Sequence, residues 1–210
     1  MFETVTMALD WLGVVAFAIT GALVASRKEM DLVGFALLGT VTGIGGGTLR
    51  DVLLGSPVFW VREPAYLVTC ILVSGLVFFT AHIPQSRYRA LLWLDAIGLA
   101  LFAVAGAEKA ALAGGNGIVA VAMGVITATF GGIICDLLGG EVPVILSREI
   151  YVSAALAGAA AFTLVMTFDA PRELGIGTGF AIGLLVRAAA LHRGWSLPRY
   201  RPRPGLPYNR

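Results

Sequence analysis

Two segments of this chain repeat a threonine, a glycine pair and an aspartate in the same order. The first holds Thr42, a run at Gly45, Gly46 and Gly47, then Thr48, Arg50 and Asp51. The second holds Thr127, Thr129, Phe130, Gly131, Gly132, Cys135 and Asp136. Threonine hydroxyls and exposed carbonyls can replace part of an ion's hydration, and carboxylates raise the local concentration of cations. Each glycine inside a helix costs about 1 kcal/mol relative to alanine. The runs are therefore expected to kink or unwind the helices that carry them. Backbone groups freed at membrane depth cannot face lipid and must face protein or water. Two broken helices at matched positions point to a solute path. The competing reading makes the same glycines notches for close helix packing. Asp51 and Asp136 follow the runs by four or five residues. An ionised carboxylate within a span is costly and faces protein or water. As ion stations, the two acids would stand toward opposite mouths. Alternatively Asp51 neutralises an arginine, and adjacent Arg50 is its candidate charge partner. Phe130 is a candidate hydrophobic constriction or an ordinary core ring.

These segments belong to a longer self-similarity. A shift of 85 positions lays Asp10, Gly13, Phe17 and Gly21 on Asp95, Gly98, Phe102 and Gly106. The same shift lays Thr42, Gly46, Gly47, Asp51 and Gly55 on Thr127, Gly131, Gly132, Asp136 and Gly140. One inserted residue then aligns Pro57 with Pro143 and Arg62-Glu63 with Arg148-Glu149. The chain is 58% hydrophobic and 13% charged, too few charges to cover a soluble domain. Apolar stretches of about 18 residues recur, long enough to cross a bilayer. Breakers between them predict an all-α membrane protein of seven transmembrane helices. Their expected bounds are about 9–25, 32–54, 64–81, 92–111, 117–138, 148–168 and 174–191. The chain reads as a single membrane domain, 1–210. Repeat one covers about 8–82, repeat two about 92–168, and the seventh helix about 174–192, ahead of a basic tail at 193–210. Three helices per repeat is an odd number, so the second copy enters from the opposite face. The plan is a 3+3 inverted repeat with one appended helix.

Arg27, Lys28, Arg87, Arg89, Arg148 and the tail arginines 193, 199, 201, 203 and 210 gather on one face, against Arg62, Lys109 and Arg172 on the other. The positive-inside rule places the richer face in the cytoplasm, with the N-terminus outside. Glu3 and Asp10 stand where a cleavable signal would carry basic residues. The tail lacks apolar periodicity and is expected to touch anionic lipid heads. A net charge of +2 points to no nucleic-acid partner. Cys70 and Cys135 make neither a disulfide framework nor a metal site, and no resident metal or cofactor is expected. With no paired His–acid or Ser–Lys constellation, the chain does not read as an enzyme. Asp10 and Asp95 are expected to cap the first and fourth helices. Arg62-Glu63 and Arg148-Glu149 are expected as interfacial anchors, and Lys109 to snorkel to the surface. Gly175, Gly179 and Gly183 form a packing groove on the seventh helix.

The doubled motif, Gly45 to Asp51 and Gly131 to Asp136 in a three-plus-three-plus-one plan, resembles the bacterial branch of the trimeric intracellular cation (TRIC) channels. The likeness runs from about Asp10 to Leu191. It implies a homotrimer in the bacterial inner membrane, with a separate pore in each protomer conducting monovalent cations, potassium above all. It further implies that the second and fifth helices line the pore, through Thr42, Gly45, Gly46, Gly47, Thr48, Asp51, Thr127, Thr129, Gly131, Gly132 and Asp136. The same sequences are also grouped under a glycine-transporter-type domain, which leaves a secondary carrier for glycine or another small zwitterion as the alternative.

Overall fold

The computed structural model describes residues 2–83, 86–147 and 149–198. The breaker at positions 84 and 85, the anchor at Arg148 and the tail from position 199 onward lie outside the described residues. Eight α-helices stand among those described: α1 Phe2–Arg27, α2 Leu32–Leu53, α3 Phe59–Arg62, α4 Ala65–Thr80, α5 Arg87–Leu112, α6 Gly117–Leu138, α7 Val152–Met166 and α8 Arg172–Arg193. A 3-10 turn, Val144–Leu146, lies between α6 and α7. Five of the helices, α1, α2, α5, α6 and α8, are long and apolar enough to cross a membrane. The apolar α4 and α7 are shorter, at 16 and 15 residues, and α3 is a single turn.

The two halves build their helix ends in the same way. Asp31 caps α2 by accepting from Gly34 N at 2.8 Å, and Asn116 caps α6 by accepting from Val119 N at 2.9 Å. Beyond the other ends, Gly55 and Gly140 take φ of 64° and 66°. There Ser56 N donates to the Asp51 carbonyl at 2.9 Å, and Glu141 N to the Asp136 carbonyl at 2.8 Å. Left-handed glycines of this kind close helix ends because no Cβ opposes the turn.

Packing follows the same doubling. α1 lies against α2, α4 and α5; α5 lies against α6, α7 and α8; α2 crosses α6. Phe17 and Phe102, equivalent in the repeat, pack with ring centroids 5.2 Å apart. Each ring sits where its partner helix offers a glycine, Phe102 on Gly13 and Phe17 on Gly98. The glycine groove of α8 also packs as expected. Gly179 and Gly183 face Gly158 of α7, where a Cβ would lie 3.0 Å from the Gly179 carbonyl. Val33, Leu37, Leu72, Leu76, Phe79 and Leu185 are exposed, an apolar belt that suits lipid.

Three helix starts differ from the expectation. α1 already runs from Phe2, and α5 starts at Arg87, where Ser86 caps it by accepting from Arg89 N. Asp10 and Asp95 are consequently interior positions and not caps. No breaker precedes Asp10, and a helix continues until something stops it. α7 begins later than expected because Glu149 forms a backbone bridge with Ser196 and Tyr151 N bonds to the Glu149 carbonyl.

Candidate functional site

The glycine runs do not interrupt their helices. α2 is helical throughout Leu32–Leu53 and α6 throughout Gly117–Leu138. This corrects the expectation of unwound turns. The four threonines donate to carbonyls of their own helices: Thr42 to Leu38 (2.6 Å), Thr48 to Ile44 (2.7 Å), Thr127 to Met123 (2.6 Å) and Thr129 to Val125 (2.9 Å). Their hydroxyls therefore do not stand free at a break. The glycines act as the point of closest approach between α2 and α6. A Cβ on Gly46 would overlap the Thr127 carbonyl oxygen, and one on Gly131 would lie 2.6 Å from the Thr42 carbonyl oxygen. The relation is reciprocal, because residue 46 answers to 131 and 42 to 127. Gly45 faces Ile134, Gly47 faces the Phe59 ring, and Gly132 faces the Tyr151 hydroxyl. The cost of glycine in a helix is offset by contacts that any side chain would prevent. Phe130, next along α6, is partly exposed.

Beyond the crossing, α2 ends in a buried charge cluster. Arg50 and Asp51 are fully buried. Arg50 Nε donates to Asp51 Oδ1 at 2.9 Å, and its Nη1 to Asp10 Oδ1 at 2.8 Å. Lys109 Nζ also meets Asp51 Oδ1, at 3.0 Å. The other oxygen, Asp51 Oδ2, accepts from Phe59 N at 2.9 Å, which fixes the single turn α3 against α2. Both cations lie near the Phe59 ring, Arg50 at 5.7 Å and Lys109 at 5.9 Å from its centroid. Trp60 Nε1 donates to Thr48 Oγ1 at 2.9 Å, and Trp11 stacks on Tyr66 with centroids 4.0 Å apart. Arg50 thus has the expected role of charge partner to Asp51. Asp10 is a second ligand of the same guanidinium. Lys109 is ion-paired here and does not snorkel away. Two cations and two carboxylates balance, as buried charges require.

The end of α6 repeats the frame with a different charge pattern. Asp136 Oδ2 accepts from Val144 N at 2.8 Å, the same contact that Phe59 makes to Asp51. Cys135 stands in place of Arg50, and among the described residues no cation pairs with Asp136; the buried arginine of this half, Arg187 of α8, pairs with Glu149. Arg187 is buried, its Nη1 donates to the Ile150 carbonyl at 3.3 Å, and it lies over the Tyr151 ring at 5.0 Å. Tyr151 in turn donates to Asp95 Oδ1 at 3.2 Å. α8 packs against α5 and α7 and brings Arg187 to Tyr151. An arginine inside an apolar span was a signal in the sequence for such a site. Tyr151 and Phe59 carried none, because only folding brings them to the aspartates.

Side-chain contacts divide the charged ends into two groups. Arg27 and Lys28 meet Glu141 at 3.3 and 3.2 Å, and Arg87 donates to Ser26. At the opposite ends, Glu108 is bound by Arg172 and by Thr6, next to Lys109 and Asp51.

Comparison with known proteins agrees with this doubled architecture. The family model described as glycine transporter matches twice, over residues 7–82 and 92–167. The inner membrane protein YadS of Escherichia coli K12 is 42% identical over 195 residues, covering 91% of this chain and 94% of its own. A membrane protein of Vibrio cholerae is 36% identical, covering 91% and 81%. Among solved structures, the TRIC trimeric intracellular cation channel orthologue from Rhodobacter sphaeroides is 65% identical with a TM-score of 0.89, covering 91% of this chain and 100% of that one. A prokaryotic TRIC channel determined in 0.5 M KCl is 30% identical with a TM-score of 0.86, covering 94% and 100%.

Proposed function

This chain belongs to the glycine transporter family, within the branch of the bacterial TRIC channels, and from that premise we propose that it is a potassium-preferring monovalent cation channel. It is a multi-pass inner-membrane protein, and its solved relatives are described as cation channels. The reading extends to a homotrimer with one path in each protomer. That path runs along α2 and α6, past Thr42, Gly45, Gly46, Gly47, Thr48, Thr127, Thr129, Phe130, Gly131 and Gly132, with Asp51 and Asp136 toward its two mouths. The two halves form an inverted repeat of three spans each, and α8 is the seventh span. Opposite grouping supports the inversion: the end of α1 shares a face with the start of α5, and the start of α1 with the end of α5. The arginine-rich face, with Arg27, Lys28 and Arg87, is cytoplasmic.

One observation carries the proposal: the reciprocal crossing in which Gly46 meets Thr127 and Gly131 meets Thr42, with an aspartate beyond each glycine run. At this crossing backbone meets backbone, with Ile134 beside Gly45. A small separation of α2 and α6 would expose a line of carbonyls and hydroxyls that suit a cation. On this reading conduction requires that separation.

Planar-bilayer recording of the purified protein in asymmetric potassium chloride tests the reading. Unitary current steps reversing toward the potassium potential are expected. The family's name favours a second reading, a carrier for glycine. Saturable glycine counterflow without unitary steps would establish that reading and remove the first.

A further inference from the structure

The conduction path leaves one buried charge unused. Arg187 is 1% exposed. Its Nη2 lies 2.8 Å from Glu149 Oε2, but the approach lacks the angle of a hydrogen bond. Nη2 of Arg187 and Oε2 of Glu149 are thus held only by each other, as an ion pair, and Nε of Arg187 is buried without a partner among the described residues. A buried guanidinium nitrogen is seldom left so. Beside these atoms opens a cavity of about 300 Å³, walled by Glu149, Arg187, Leu92, Leu191, Trp195 and Ser196.

The chemistry of those walls selects the occupant. A simple anion at Arg187 would face the Glu149 carboxylate, and a simple cation at Glu149 would face the guanidinium. A molecule carrying both charges meets both groups. The guanidinium can fork two N–H donors onto one phosphate or carboxylate. A primary ammonium can reach Glu149 and the indole face of Trp195. The position is the last turns of α8, followed by Arg193 and Trp195 with the cation 5.3 Å from the ring centroid. Tryptophan and arginine at a span's end mark the headgroup level.

We propose that the cavity between the start of α7 and the end of α8 binds a compact zwitterion, with its anionic oxygens on Nε and Nη2 of Arg187 and its primary ammonium on Glu149. The ligand comes either from an ethanolamine phospholipid headgroup or from a free amino acid. The site lies apart from the α2–α6 crossing and does not depend on conduction.

Native mass spectrometry of the full chain, purified from vesicles containing equal ethanolamine, choline and glycerol phospholipids, tests the first source. Retention of the ethanolamine lipid by about tenfold over the others is expected, the effect of one charge-assisted contact. Glu149→Gln should abolish the preference over the glycerol lipid. Glu149 is partly exposed, so this variant should fold even where Arg187→Gln does not. For the second source, the protein in choline-lipid vesicles is heated with phosphoethanolamine or with glycine. A raised Tm with glycine, lost in Glu149→Gln, supports the site and assigns it to a free amino acid. Equal retention of the three lipids with no shift by either probe overturns the proposal. So does a preference or shift that survives in Glu149→Gln.

Discussion

At the residue scale, the molecule is organised by where its charges are buried. Arg50 stands between Asp10 and Asp51, with Lys109 on the same Asp51 oxygen. Removing one member of a buried set leaves its partners uncompensated, at a cost of about 3–5 kcal/mol. Arg50→Met should therefore destabilise the protein by that order, measured by thermal unfolding in detergent. A loss below about 1 kcal/mol would contradict the pairing. Lys109 is the partly exposed member, at 26%, so Lys109→Met should cost less than Arg50→Met. Asp136 has a backbone partner but, among the described residues, no cation within ion-pair distance. Asp136→Asn should lower the preference for cations over anions, read as a shift of reversal potential in a potassium chloride gradient. An unchanged potential would assign Asp136 to fixing the Val144 turn alone.

At the element scale, glycine decides how closely helices approach. Gly46 and Gly131 sit where the opposing backbone occupies the space of a side chain. Valine at either position must push α2 and α6 apart along their length. The expected outcome is loss of monodisperse protein on size exclusion and a lowered Tm, and not a folded protein with a plugged path. Gly75, on α4, has open space where a methyl group would stand, with no neighbouring atom within 4 Å. Gly75→Ala should be neutral or stabilise by about 0.5–1 kcal/mol, since alanine is the better helix former. The contrast separates glycines needed for contact from one that is not. The runs at 45–47 and 131–132 were visible in the sequence as departures from helix preference. Propensity is local, however, and it could not show that tertiary contact would outweigh it.

At the scale of the whole molecule, two similar halves share one core. Phe17 and Phe102 lock α1 to α5, and α2 meets α6 at equivalent points. Asymmetry enters through charge. In the first half Arg50 pairs with Asp10 and Asp51, whereas in the second Arg187 of α8 pairs with Glu149 and no cation pairs with Asp136 among the described residues. The proposed inversion makes a topological prediction. Cysteine in place of Lys28 should react with a membrane-impermeant thiol reagent only from the cytoplasmic side, and cysteine in place of Ala113 only from the other. Both positions are exposed, and native Cys70 and Cys135 are buried, so the background should be silent. Labelling of both positions from one side would rule out the inversion.

Periodicity, repeat spacing and hydropathy are properties of the chain read in order. They alone determined the apolar helices, the doubled motif, the packing notches at Gly13, Gly98, Gly179 and Gly183, and the family. Distances between residues far apart in the chain are set only by folding. Tertiary structure therefore decided that α2 and α6 stay unbroken, that Asp10 and Lys109 join Arg50 and Asp51, and that Arg187 pairs with Glu149. A glycine's local cost and an aspartate's position in a span are legible from sequence. The carbonyls that meet Gly46 and Gly131, and the guanidinium that meets Asp10, come from 40 or more residues away, and their approach is settled by close packing of the assembled helices.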